Sequence, residues 1–165
     1  MPALNAVARL AEIPGLSPGL ARAIIAETGL DMSRFPTAGH LVSWAGLCPS
    51  ARQSGPRTRA GKKGQGGTWL RGSLGQAAIG AARTGTFPGE RDARIARRRG
   101  KAKAQVAVAR SIMVIIWHLL ADPAARFTDL GPGYHQARTD TDRKIRNHIQ
   151  QIQALGLTVT ITKTG

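Results

Sequence analysis

Cysteine, carboxylate and aromatic side chains are all scarce in this chain, and each shortage removes a class of function. Cys48 stands alone, which excludes an internal disulfide and a cysteine zinc cluster. The four histidines are scattered and form no ligand motif. Aromatic residues make up only 4% of the sequence, too few for a platform that stacks single-stranded bases. No basic segment followed by a long apolar run opens the chain, so no signal peptide is expected. The longest apolar run, Ile112 to Leu120, is interrupted by His118 and is too short to span a bilayer. No basic amphipathic helix with a broad aromatic face is present to lie on a membrane. A cytoplasmic chain with no membrane partner is therefore expected.

The shortage of acid is the most informative. Twenty-four Lys and Arg stand against nine Asp and Glu, a net charge of +15 over 165 residues. Such a surface repels itself and favours a polyanionic partner, of which nucleic acid is the commonest. The length suits one ordinary domain with a real core, or a small domain with an appendage.

Gly46 to Leu74 has no carboxylate, and there Ser54 lies among glycines with Arg52, Arg57, Arg59, Lys62, Lys63 and Arg71 nearby. Ser54 precedes Gly55-Pro56, so it falls at a turn, and some extended structure is expected between Pro49 and Arg59. Glycine-rich turns add backbone N–H donors to such an anion site. Two readings of this loop stand: a phosphate site built around a reactive serine, and a basic loop that grips a nucleic-acid backbone without chemistry.

Upstream, Leu4 to Glu27 reads as two short helices around Ile13-Pro14-Gly15-Leu16-Ser17-Pro18-Gly19. The pattern is that of a helix-hairpin-helix, whose turn residues Gly15, Ser17 and Gly19 would bring backbone N–H groups to a phosphate. The alternative is a helical corner that only packs. Gly29 caps the second helix and Thr37 the next, Ala38 to Ala45, with Phe35 and Trp44 expected in the core. From Gly67 to Arg83 the pattern is expected to be helical, with Thr68 as its N-cap and Trp69, Leu70, Leu74, Ala77, Ala78 and Ala81 on one side. Its Gly72, Gly75 and Gly80 each cost close to 1 kcal/mol of helix propensity, which close packing would offset.

Thr84 to Gly89 reads as a loop, followed by a second basic cluster of Arg97, Arg98, Arg99, Lys101 and Lys103. Ala104 to Leu120 is expected as the central core helix, with Val106, Ala109, Ile112, Met113, Ile116, Trp117 and Leu120 on its apolar face and Asp122-Pro123 as its stop. Thr139 to Leu155 follows as an amphipathic helix striped by Ile145, Ile149, Ile152 and Leu155. Leu157 to Thr162 alternates like a strand. The fold class is thus mainly α: a helical domain over residues 1–125, with the helix-hairpin-helix at about 4–27 and the basic Gly-rich loop at 46–74. A C-terminal helix plus a short strand occupy residues 126–165.

These motifs, in order, resemble the C-terminal transposase domain of insertion-sequence transposases related to the Piv DNA invertase, the family of RNA-bridged recombination. The resemblance is carried by Ile13 to Pro18 with Ala21, Phe35-Pro36-Thr37-Ala38, and Trp44 to Ser50. It continues through Gln53-Ser54-Gly55, Leu70-Arg71, Val106 to Arg110, and the tail from Asp142-Arg143-Lys144 to Thr160. It implies a two-part active site. A RuvC-like half with four acidic residues holds magnesium, and the C-terminal half supplies a serine that attacks the phosphodiester. That serine corresponds to Ser54, with Ser50 in reserve. The nine carboxylates here are scattered, so no cofactor is expected in this chain, which reads as a truncated relic, a separately encoded half whose RuvC-like partner and Mg2+ come in trans, or a fragment of a longer reading frame. DNA, a guide RNA and further copies assembled on DNA are the partners the resemblance implies.

Overall fold

The computed structural model describes residues 2–48, 51–54, 57–60, 67–138 and 141–162, with side chains left out at 2–4, 51–54, 57–60, 68, 142 and 143. The chain divides into two compact units, Met1–Pro132 and Gly133–Gly165. In the first unit, α1 spans Pro2–Leu10, α2 Pro18–Thr28, α3 Ala38–Trp44 and α4 Thr68–Ala81, followed by α5 Phe87–Arg99 and α6 Lys101–Ala121. A 3-10 turn covers Met32–Arg34, and two strands, β1 Ala51–Ser54 and β2 Arg57–Ala60, lie between α3 and α4.

α6 is the element the others pack against: α1, α3, α4 and α5 all contact it. Ala104, Val108, Ile112, Ile116, Leu119 and Leu120 recur every three or four residues and are buried together with Ala109 and Met113. That spacing draws one wide stripe along a helix of 3.6 residues per turn, and each large buried side chain contributes about 1.5–3 kcal/mol. By length and composition α6 could cross a membrane, but its stripe is buried in this core. Val106, expected on that face, is 52% exposed, because it lies at the rim of the stripe, two turns before Met113.

The end of α6 is closed from a distance. Arg9, on α1, is 7% exposed, and its Nη1 donates to the carbonyls of Leu119 at 2.7 Å, Asp122 at 3.0 Å and Ala125 at 3.1 Å. A helix leaves its last carbonyls unpaired and negative, so a buried cation there satisfies both needs. Replacing Arg9 by methionine keeps most of the side-chain volume and strands these acceptors. A loss of about 3 kcal/mol is expected, measurable as a lower urea midpoint. Nearby, Arg126 donates to Glu12, and this bond holds the Glu12 carboxyl below its ordinary range. The stabilisation it brings is present above the usual glutamate value of 4.5 and is lost as pH falls through the lowered folded value. A melting series in acid should show that loss, and Glu12→Gln should flatten it.

Two expected glycine contacts are absent and one is present. A Cβ on Gly80 would stand 3.1 Å from the Gly15 Cα, so the α1–α2 turn lies directly on α4. Gly72 and Gly75 face open space instead. Leu70, Leu74, Ala77, Ala78 and Ala81 form the buried side of α4, whereas Trp69 is 50% exposed, lying in the first turn at the rim of that stripe. The N-cap of α4 is Gly67 rather than Thr68, and Thr37 heads α3 without a side-chain capping bond, its hydroxyl meeting His40 Nδ1 at 2.8 Å instead. Trp44 is also 40% exposed. Its ring leans on buried Phe35 with centroids 5.5 Å apart, while Trp117 Nε1 donates to the Phe35 carbonyl at 2.9 Å. Residues 87–89, expected in a loop, already belong to α5: Pro88 suits a first turn because its missing N–H has no partner to lose there.

In the second unit, α7 covers Tyr134–Ala137 and α8 Thr141–Gln153. α8 carries Ile145, Ile149 and Ile152 of the expected stripe, with Ile145 and Ile152 each 39% exposed, whereas Leu155 lies beyond the end of the helix. The expected tail strand is not formed. Residues 157–162 have no ladder, since the sheet among the described residues contains β1 and β2 alone and a lone strand leaves its hydrogen bonds unmade.

Candidate nucleic-acid interface

The β1–β2 pair is antiparallel, with Ala51 opposite Ala60, Arg52 opposite Arg59, Gln53 opposite Thr58 and Ser54 opposite Arg57. Directly opposed residues share a face, and successive residues alternate. Arg52, Ser54, Arg57 and Arg59 therefore occupy one face of the ribbon, and Ala51, Gln53, Thr58 and Ala60 occupy the other. Every charge of the ribbon falls on the face that carries the serine. Gly55, Pro56, Lys62, Lys63 and the reserve candidate Ser50 lie outside the described residues.

The remaining expected contacts are dispersed. Arg71 sits in the first turn of α4, half-buried, with Nη1 shielded from solvent and without a hydrogen-bond partner among the described residues. Ser17 is the N-cap of α2: its Oγ accepts from the Leu20 N–H at 3.2 Å. Gly19 is exposed in the same turn, and Gly15 has its α-carbon against α4. Arg97, Arg98 and Arg99 are exposed in the last turn of α5, where they also complement the negative end of the helix. Lys101 is different in kind. Its Nζ lies 2.5 Å from an oxygen of Asp92, a carboxylate only 3% exposed, so much of its charge is already matched.

One group of cations escapes a reading by local sequence. Arg91 is half-buried on α5, and burial, then the charges of Arg94 and Arg110, hold its guanidinium below the usual arginine range. The proximity of Arg91 and Arg94 could be read from their helical spacing; the approach of Arg110 from α6 could not.

Among the described residues no three His, Cys, Asp or Glu side chains converge to hold a metal ion. No curated protein matches the chain. Residues 7–94, from the middle of α1 through the ribbon and α4 into α5, match the family described as Transposase IS116/IS110/IS902. That match takes in the α1–α2 turn, the ribbon with its basic face and more than half of the whole sequence, and on this ground the chain belongs to the IS116/IS110/IS902 transposase family.

Proposed function

We propose that this chain is the DNA-handling part of an insertion-sequence transposase, with Ser54 as the nucleophile of strand cleavage. The observation that carries the reading is the shared face of Arg52, Ser54, Arg57 and Arg59 on the β1–β2 ribbon. A phosphodiester resists attack because of its negative charge. Arginines around the serine neutralise that charge as it grows in the transition state. In the step itself, Ser54 Oγ forms a bond to phosphorus, one bridging P–O bond breaks, and the departing sugar oxygen takes up a proton. The serine's own proton passes to a carboxylate of a RuvC-like half supplied in trans, and the departing oxygen takes its proton from that carboxyl group or from water. Mg2+ would be held by that half and would add to the charge neutralisation at the phosphate.

The Ser17 cap and the exposed Gly19 at the start of α2 would add a backbone contact of helix-hairpin-helix type, holding duplex without reading its sequence. Lys62, Lys63 and Arg71 extend the same basic stretch, and Arg97 to Arg99 offer contacts from α5. Strand exchange needs two cleaved sites, so association of copies on DNA is part of the proposal. Work on DNA fits a cytoplasmic chain, and a guide RNA would supply target choice.

The test is covalent trapping on nicked duplex DNA with magnesium, using this chain alone, mixed with a RuvC-like half, and mixed with that half and RNA. A denaturation-resistant adduct absent from Ser54→Ala supports the reading. Salt-sensitive DNA binding with no adduct in any mixture would leave a binding module without chemistry and overturn the catalytic assignment.

A further inference from the structure

We propose that the α5–α6 pair seats the phosphate backbone of duplex DNA, with Arg91 as the central contact and Arg94, Arg98 and Arg110 around it. This rests on the family's action on DNA and is independent of the chemistry of Ser54.

Arg91 is the anchor of the argument. Its Nε is shielded from solvent and has no hydrogen-bond partner among the described residues. A half-buried guanidinium left in that condition is costly, and the cost is normally met by an acceptor. Its neighbours make matters worse, because Arg94 on α5 and Arg110 on α6 bring further positive charge towards it. Local carboxylates do not balance the group. Glu90 interacts with Arg91, but its oxygen also lies 3.5 Å from Arg94 Nε and is shared between them. Asp92 is buried and bound to Lys101. Glu90 is thus shared by Arg91 and Arg94, while Arg110 brings a third positive charge to Arg91 from the second helix. Such an arrangement suits an anion arriving from outside.

The shape selects a polymer over a single ion. Arg91, Arg94 and Arg98 follow one another at intervals of three and four, so they line one side of α5 over about 10 Å. One strand of duplex carries a phosphate about every 3.4 Å of axis, so that length spans about three of them. Arg94, Ile95, Arg98 and Arg99 border an open cleft of about 440 Å³ beside this row. No aromatic side chain lines it, so it offers guanidinium groups to a backbone and no surface on which to stack an unpaired base. Duplex DNA fits this chemistry better than single-stranded RNA.

The experiment titrates salt against the affinity of the full chain for a duplex DNA of arbitrary sequence, read by fluorescence anisotropy. Arg91→Met keeps the apolar stem and removes the charge. The salt slope should fall by about one log unit per log unit of salt, with about tenfold weaker binding at 0.1 M. Melting of the free protein should be unchanged or raised, since an uncompensated charge has been removed. Arg91→Lys should restore most of the slope. A purely structural arginine predicts the reverse: a lower melting temperature and an unchanged slope, and that result overturns the proposal. Arg98→Met and Arg110→Met are exposed replacements that keep the test decisive if Arg91→Met does not fold, and both must reduce the slope. Weakened binding to single-stranded RNA with duplex DNA unaffected also overturns it. Because only binding is read, a failed adduct assay at Ser54 leaves this outcome untouched.

Discussion

Ser54→Ala is expected to leave the affinity for duplex DNA within a factor of about two while reducing covalent adduct and strand exchange by roughly 10³-fold or more. The asymmetry follows from the ribbon register. Affinity for a polyanion comes from the charges, and Arg52, Arg57 and Arg59 remain on the face where Ser54 stood. The hydroxyl contributes one neutral contact to binding, whereas in the proposed step its oxygen forms the new bond to phosphorus. Removing it deletes the step, whereas removing an arginine raises the barrier. Arg57→Met, directly opposite Ser54, should therefore reduce both readouts, with the salt slope lowered by about one and the adduct weakened but present. Paired measurement of anisotropy and adduct yield on the same preparations separates the two. Equal loss of binding and adduct in Ser54→Ala would make the serine a structural turn residue.

Gly15→Ala should unfold much of the first unit. Its φ of +83° lies in the left-handed region, where an alanine costs about 1–2 kcal/mol before any contact is considered. The added Cβ would then stand 2.2 Å from the Ala77 carbonyl oxygen and 2.6 Å from the Ala81 nitrogen. Both are backbone atoms of α4, so relief requires moving the helix off the α1–α2 turn and opening the core of Leu70, Leu74 and Ala78. A loss of about 4 kcal/mol or more is expected, a large part of the total stability of a domain this size. Gly72→Ala is the matched control. There the new methyl meets open space within α4, and the gain in helix propensity should stabilise the protein by up to about 1 kcal/mol. The same substitution therefore has opposite signs at a turn packed against α4 and at a position of α4 that faces open space, and urea unfolding of both variants reads it. Weakened DNA binding in Gly15→Ala with full stability would assign the turn glycine to the phosphate contact instead of to packing.

The helices were legible because their information is local. The recurrence of Ile112, Met113, Ile116 and Leu120 defines a stripe whatever it packs against, and Asp122-Pro123 ends it for reasons confined to its own backbone. Composition is equally local, so the basic character of residues 46–74 and the preference for a polyanion needed no coordinates. Where the apolar stripe has an edge, local information fails. Trp69 and Val106 sit at positions that a periodicity of 3.6 leaves ambiguous, and whether a neighbouring element covers them depends on where that element stops.

The rest depends on distances between groups far apart in the chain. Arg9 reads as one more surface cation until α1 is laid across the end of α6, more than a hundred residues later, and its charge becomes a helix cap. Of three similar glycines in α4, only Gly80 meets the turn at Gly15, because packing angle and not composition selects the point of contact. Arg91 becomes an under-compensated cation only when Arg110 approaches from α6 and Lys101 has taken Asp92 away. Ser54 joins its arginines on one face through the pairing of β1 with β2; a slip of one residue would move one strand's charges to the opposite face. Residue type and periodicity are properties of the chain at each point along it, so sequence determines which elements form and which partner is attracted. Burial, capping at a distance and the balance of charge are properties of the space between elements, and they exist only after those elements have packed.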